Sequence, residues 1–597
     1  MYSQLVQAVV EYPQRLKQRE RTVAHYDTIH VRLGNLRLVL VLVAAVMAWE
    51  SLRRHLFSPW WMLFPVGAFV AVAAYHSSIL RARDLVQRSV AFYKSGIDRI
   101  ENRWAGTGQS GEHFNDPHHV YAADLDLFGR GSLFELLSTA RTGMGEETLA
   151  NWLLMPATIS ELRERHPAVL ELRDQLDLRE DVAVLGQDAG VGVNPQALLR
   201  WAEAPSRMKP AWVAPLSLVL GMLAIAGTVV WEYWGIATPL IAILVVEAFL
   251  RNRLKNEIEE VLHSSEHIFR DLSLLSGLLA RVERHVFFAT RLQSLQRELL
   301  SHGLRSSDAI GRLKTIMDWS DSRKNFLMQV LDVPLMYSVQ VAFAAERWRR
   351  SHAHAVRSWL SAIGSMEALL SLSAYSYEHP DDPFPEFVEG PPSFDATSIR
   401  HPLISSANCI PNDVRLSSDT RVLLVSGSNM SGKSTLLRTV GINAVLAMAG
   451  APVRAQRLRL TFLHVGASIQ IHDSLQEGSS RFYAEITRLR KLFDLAAEDP
   501  PLLFLLDELL QGTNSNDRRI GAEGVLRAFL NRGAFGLVTT HDLALAEIGT
   551  ALDGHLRNVH FQEEFEQGRI SFDYKLHDGV VTKSNGLALM RSIGLEV

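Results

Sequence analysis

Four apolar runs constrain this chain more than any other feature, because a stretch of about 20 residues without charge must be hidden in lipid or in a large core. Leu38 to Trp49 (LVLVLVAAVMAW) is apolar throughout, and after the polar break Glu50 to His55 a second run extends from about Leu56 to Tyr75. The first reaches spanning length only by extending to Leu36 past Arg37, or into Glu50 to Leu52. Ala211 to Trp231 and Tyr233 to Leu250 form a second pair, with Trp231, Tyr233 and Trp234 at the turn, where interfacial aromatics belong. The expectation is two transmembrane hairpins, residues 36–80 and 207–252. Arg15, Lys17, Arg19, Arg21 and Arg32 precede the first, Arg81 and Arg83 follow it, and Arg207, Lys209, Arg251, Arg253 and Lys255 flank the second. By the positive-inside rule both bases face the cytoplasm, although Arg53 and Arg54 in the first turn reduce the contrast. The competing reading is that these runs are buried helices of a large soluble core. Glu247 is read as an acid snorkelling to the interface beside Arg251, with a functional intramembrane acid as the alternative.

At 597 residues the chain exceeds what one core accommodates, so roughly two to four structural units are expected. The balance of 61 basic against 65 acidic residues excludes the global basic field of a dedicated nucleic-acid binder; any such contact must come from a local patch. Cys409 is the only cysteine, which rules out an intrachain disulfide and agrees with a cytosolic setting for the soluble parts. The first 27 residues carry charges where a cleaved signal would place an apolar run.

The chemistry is spelled out in the last third. Val422 to Ser426 (VLLVS) reads as a strand, followed by Gly427-Ser428-Asn429-Met430-Ser431-Gly432-Lys433-Ser434-Thr435 and a helix-forming stretch. In this G-x-x-x-x-G-K-S spacing, backbone N–H groups converge on phosphate oxygens at a helix N-terminus. Gly432 permits close approach, Lys433 reaches the terminal phosphates, and Ser434 offers its hydroxyl to Mg2+. Pro501 to Leu506 (PLLFLL) has the uniform apolarity of a buried parallel strand and ends in Asp507-Glu508. Asp507 is expected to hold Mg2+ and Glu508 to orient the attacking water; a plain acidic pair capping the next helix is the alternative. A third strand, Phe535 to Thr539, ends at Thr540-His541, putting His541 where doubly wound sheets bind ligands. It is expected to sense the terminal phosphate, against the alternative of an ordinary surface or core histidine. The expected cofactors are ATP and Mg2+, with Glu508, His541 and Lys433 as catalytic groups.

These residues resemble the MutS family of DNA mismatch repair ATPases. Gly427 to Thr435 reads like that family's phosphate loop, including Asn429-Met430, and Asp507 to Asp517 (DELLQGTNSND) like its acidic pair and following loop. Asp473 to Phe482 (DSLQEGSSRF), with Glu485, is similar to its signature segment. The resemblance implies that Ser480 reaches across a homodimer to the partner's ATP, while Arg481 stands where threonine is usual and Ser474 replaces a second acid. Asn558 to Gly586 resembles the family's tail, down to Lys583-Ser584 and Gly586-Leu587, Ser132 to Leu153 the start of its helical core, and Arg400-His401-Pro402 the start of its ATPase domain. No mismatch-reading domain is found ahead of the core, and the family's aromatic-x-Glu motif has no counterpart, Phe384-Pro-Glu386 and Phe561-Gln-Glu563 lying in the wrong regions. The expectation from these residues is a chain without the family's terminal dimerisation segment or a nuclease domain.

The expected fold is therefore multidomain: a mainly α-helical core and lever region with two transmembrane helical hairpins, then an α/β P-loop NTPase domain of ABC/MutS type. The segments are a cytosolic helical 1–35, hairpin 36–80, core helices 81–206, hairpin 207–252, lever helices 253–395 and the ATPase domain 396–597. The apolar runs and their flanking charges lead to the expectation of a membrane-anchored, multi-pass protein with its C-terminal domain in the cytoplasm, and the resemblance implies an ATPase that dimerises through that domain and moves helical levers. Arg281, Arg284, Arg291, Arg297, Arg305 and Arg312 read first as a solvated helix face, with phosphate contacts to DNA as the alternative. The alternatives are an ABC-type transporter, against which the absence of an L-S-G-G-Q-type signature counts, and an ATP-gated membrane scaffold without DNA binding.

Overall fold

The computed structural model describes all residues except 1, 55–57, 207, 209–211, 302, 324–327, 329–331, 333, 429–430, 471–480, 542–544, 546–551, 553, 567–568 and 581–597. It is mostly helical, with mixed sheets in the C-terminal part. The chain divides into two compact units, one of Met1–Ser138, Trp152–Leu162 and Leu372–Val597, the other of Thr139–Asn151 and Arg163–Ser371.

The first unit begins with two long antiparallel helices, α1 (Tyr2–Arg54) and α2 (Leu63–Ile100). Pro13 and Gly34 lie within α1 without interrupting it, so its polar start and its apolar run form one rod. Glu20–Lys94 (3.4 Å), Asp27–Arg83 (2.5 Å) and His30 Nδ1 to His76 Nε2 (2.8 Å) tie the two helices along their length. At the base, the Tyr12 ring fills the place of a side chain at Gly96: a Cβ there would lie 2.5 Å from it. Arg99 and Glu378 form a buried, two-pronged ion pair at 2.7 and 2.6 Å, and Tyr12 donates to the same carboxylate. Toward the other end, Leu38, Leu42, Val46, Trp60, Trp61 and Phe64 are exposed. After α2 a loop segment leads to the short α3 (Leu133–Leu137), which Ser132 caps by accepting from the Glu135 N–H.

The second unit is built from helices: α4 (Gly143–Leu154), which runs on into the first unit, α5 (Ile159–Arg173), α6 (Leu176–Gly192), α7 (Pro195–Glu203), α8 (Val213–Trp234), α9 (Thr238–Arg284), α10 (Thr290–Glu298) and α11 (Ser306–Ser322). A small hairpin, β1 (Leu300–Ser301) and β2 (Leu304–Arg305), joins the last two. Helix α12 (Tyr337–Glu378) passes back into the first unit. The 47-residue α9 is the organising element: Leu254, Ile258, Val261, Leu262, Ser265, Ile268, Leu272, Leu275 and Leu279 form one buried helical stripe, with α6 and α11 against it.

Among the described residues three helices are long and apolar enough to cross a membrane: α1, α2 and α8. The run expected as the fourth span is divided. Tyr233 and Trp234 end α8, Gly235 turns the chain with φ of 69°, and the remainder forms the first turns of α9, where Ile241, Val245 and Phe249 are exposed. Glu247 does not snorkel. Its side chain is 1% exposed, neither oxygen has a hydrogen-bond partner among the described residues, and Arg251 pairs instead with Asp332 at 3.3 Å.

The C-terminal part of the first unit carries two sheets. One is four-stranded, in the order β3 (Glu386–Phe387), β7 (Arg457–Leu460), β4 (Phe394–Ile399), β5 (Asn412–Leu416). The other is six-stranded, in the order β12 (Arg569–Asp578), β11 (Leu556–Glu566), β6 (Val422–Ser426), β10 (Phe535–Thr540), β9 (Leu502–Leu506), β8 (His464–Ser468). All its strands are parallel except β12. Helices α13 (Lys433–Ala449), α14 (Arg481–Leu495) and α15 (Ser515–Asn531) supply the crossovers. Strands β6, β9 and β10 are buried at every position, which is why they read as unbroken apolar runs. Phe504 stacks on Phe529 of α15 at 5.1 Å.

Candidate functional site

Because β6, β10 and β9 are adjacent and parallel, the chain segments that follow them emerge side by side, at the end of the sheet where such folds bind ligands. After β6 the chain turns through Gly427, half-buried Ser428 and buried Ser431 into α13, whose first residue is Lys433 and whose first turn leaves Thr435 exposed. Gly432 has φ of 101°, and a Cβ there would lie 3.2 Å from the Tyr574 ring, so both conformation and space call for glycine. Asn429, Met430 and Ser480, with the rest of 471–480, lie outside the described residues, as do Lys583, Ser584, Gly586 and Leu587; of Arg481 only its place at the start of α14 is described.

Lys433 folds back over the turn, its Nζ donating to the carbonyls of Gly427 at 2.9 Å and Ser428 at 2.7 Å. That occupies two of its three N–H donors. Burial pulls its pKa down, opposed by the charges of Glu508, Asp507 and Glu563. Ser434 Oγ donates to Asp507 Oδ2 at 2.6 Å, joining the end of β6 to the end of β9. Thr539, on β10 between them, bonds Asp507 Oδ1 through its hydroxyl and accepts the Glu508 N–H at 2.9 Å. Glu508 and Leu510 both have positive φ, 49° and 57°, a conformation that non-glycine residues hold only under restraint. The restraints are visible: buried Glu485 accepts the Leu510 N–H at 2.6 Å, and Arg518 donates to the carbonyls of Leu510, Gln511 and Thr513. His541 Nδ1 lies 3.8 Å from Glu508 Oε1.

A cavity of about 630 Å³ opens over this turn. Ser428, Lys433, Ser434 and Glu508 line it at one part; Ile399, Ile404, Cys409, Ile410, Phe561 and Tyr574 line it elsewhere. A phosphate-bearing ligand with a flat apolar group suits this lining. Ser434 and Asp507 offer two hard oxygens at one point. That donor set fits Mg2+, which takes one or two protein oxygens and completes its shell with phosphate and water. Among the described residues no cluster of three or more His, Cys, Asp or Glu is arranged to hold a metal unaided.

Sequence reasoning missed Thr539 and the lining residues Ile404, Cys409, Ile410 and Tyr574. A threonine at a strand end carries no local signal, and the others converge only where β5 of one sheet meets β12 of the other, Asn412 Nδ2 donating to the Tyr574 carbonyl at 3.0 Å.

A largely parallel sheet with helical crossovers gathers a glycine turn, a buried lysine and an acidic pair at its strand ends, the architecture of a doubly wound α/β domain. Within that class, residues 423–596 match the family described as MutS domain V. Over 522 residues, 78% of this chain and 56% of the relative, the sequence is 26% identical to the DNA mismatch repair protein MutS of Myxococcus xanthus. It is 33% identical over 244 residues to the DNA mismatch repair protein MSH3 of Phaeosphaeria nodorum, covering 40% of this chain and 21% of the relative. The Endonuclease MutS2 of Thermus thermophilus is 35% identical over 196 residues, 33% of this chain and 25% of the relative. These matches support membership of the MutS family, carried by residues 423–596, and the chain spans between about a fifth and just over half the length of these relatives.

Proposed function

We propose that this protein is a membrane-anchored, MutS-type ATPase that binds and hydrolyses ATP with Mg2+ at the site between Lys433 and Glu508. The observation that carries this is the meeting of Lys433, Ser434, Asp507, Glu508 and Thr539 at the ends of three adjacent parallel strands beside one cavity. Lys433 places a charge on the terminal phosphates, and backbone N–H groups at the start of α13 hold phosphate oxygens. Ser434 and Asp507 would hold Mg2+, which would supply charge neutralisation to the bound phosphates. Glu508 orients the attacking water, with His541 beside it. The apolar lining receives the base.

The expected result for Glu508→Gln is hydrolysis lower by orders of magnitude with nucleotide binding retained, because water positioning is lost while the phosphate contacts remain. Lys433→Ala should instead weaken binding itself. Single-turnover hydrolysis and fluorescent-nucleotide titration on the detergent-purified protein separate the two. Wild-type turnover in Glu508→Gln would refute the assignment.

The family resemblance at 473–482 supports a homodimer formed through the ATPase domains, with Ser480 facing the partner's ATP. The exposed apolar faces of α1, α2 and α8, with arginines and lysines at their bases, support multi-pass anchoring with the ATPase domain in the cytoplasm. DNA contact is supported by one groove of about 610 Å³ in the second unit, lined by Arg284, Arg297 and Arg305 with Phe287 and Leu300. These three arginines are exposed and, among the described residues, make no ion pair, whereas Arg281 pairs with Asp181 and Arg291 with Glu298.

A further inference from the structure

Two lines of hydrogen bonds leading to the acidic pair meet at one side chain far from it in sequence. Asp124 is 1% exposed and commits one carboxylate oxygen to the chain just past β8 and the other to α14. Oδ1 accepts the backbone N–H groups of Ile469 and Gln470, each at 2.7 Å, and Oδ2 accepts from Arg488 Nη2 at 2.8 Å. Its neighbours run along the open edge of β8: the Val120 carbonyl accepts the Ala467 N–H at 2.9 Å, and the His119 carbonyl accepts from Arg488 Nη1 at 2.6 Å.

The first line passes through β8. Ser468, adjacent to the two amides that Asp124 holds, accepts the Asp507 N–H at 2.9 Å. The second passes through α14. Arg488 lies one turn beyond Glu485 on the same helix face, and Glu485 holds the Leu510 N–H. Asp124 thus bears on the main chain at Asp507 from one side and at Leu510 from the other. Between them stands Glu508, and the left-handed backbone at Glu508 and Leu510 needs outside restraint.

We propose that Asp124 is a positioning residue of the nucleotide site, holding residues 507–510 in the shape that aims Asp507 at Ser434 and Glu508 into the cavity. Its neighbour Asp126 provides an internal control. It also pairs with the same module, through Arg438 of α13 at 2.9 Å, but is less buried and on neither line. Its φ of 51° is one that asparagine accepts readily.

The test compares D124N, R488Q and D126N in the full chain by two readouts. The first is amide hydrogen exchange across 502–512 without nucleotide. D124N should exchange faster at Asp507 and Leu510, R488Q at Leu510 alone, and D126N as the wild type. The second, which rests on the nucleotide reading, is a Mg2+ titration of turnover at saturating ATP. Loss of a group that orients a metal ligand should raise the half-saturating Mg2+ about tenfold in D124N, with Mg2+-free ATP binding within about twofold of wild type. A D124N protein with a lowered Tm but wild-type exchange at 507–510 and an unchanged Mg2+ requirement would overturn the inference and leave the ATPase reading intact. If D124N does not fold, R488Q decides by the same measurements. A wild type without Mg2+-dependent turnover would refute the ATPase reading, and the exchange readout would still decide the role of Asp124.

Discussion

His401 organises the loop that carries part of the cavity lining. Its Nδ1 accepts the Leu403 N–H at 3.3 Å, and its own backbone N–H points to Cys409 Sγ. Burial, helped by the charge of Arg438, pushes its pKa down to about 4. The folded protein therefore keeps His401 neutral at pH values where the unfolded chain already protonates it. Its contribution is complete above the ordinary value of 6.5 and is lost as the pH falls from there toward 4. The loss is up to about 3 kcal/mol over that window. Thermal unfolding from pH 7 to 4 should show this slope in the wild type and a shallower one in His401→Asn, which keeps an acceptor near Nδ1 without the titration. At this scale the sequence was most legible where chemistry is local. Gly427, Lys433 and Ser434 lie within eight residues, and their spacing alone specifies the turn. Thr539 was hidden because its partners Asp507 and Glu508 come from another strand, and Asp124 because its partners lie about 345 residues away.

Elements explain what residue spacing could not. Strands β6, β9 and β10 announced themselves by uniform apolarity, since a strand covered on both faces has no polar side to alternate with. The extent of α1 was less legible, because hydropathy changes at about residue 36 while the backbone does not. The base of α1 and α2 is held against the end of α12 by Arg99 and Glu378, 9% and 1% exposed. Arg99→Met leaves a buried carboxylate without its cation and should cost about 3–5 kcal/mol, whereas the double change with Glu378→Leu should recover most of that. Chemical denaturation of the three proteins in detergent checks the pattern; a double variant no better than the single would contradict it.

At the scale of the whole molecule, the helical hairpin and the nucleotide site are separable in their chemistry. Most of the exposed apolar residues of α1 and α2 lie between residues 36 and 80, while the buried contacts with α12 lie at Tyr12 and Arg99. Replacing residues 36–80 by a short flexible turn should abolish partition of that hairpin into membranes and leave ATP turnover within about a factor of three, since no residue of the site is touched. Sedimentation with vesicles and a turnover assay check both halves. For the groove, replacing Arg284, Arg297 and Arg305 by Gln should reduce the slope of log affinity for duplex DNA against log salt by about 2 to 3. An unchanged slope would remove DNA from that groove.

Helix α9 runs without a break from Thr238 to Arg284. At 1.5 Å per residue, the stretch from Arg251 to Arg284 measures about 50 Å. If its first turns, where Ile241, Val245 and Phe249 are exposed, sit in lipid, this rod would act as a spacer, holding a polyanion bound beside Arg284 more than a duplex diameter clear of the headgroups and out of competition with anchoring phospholipids.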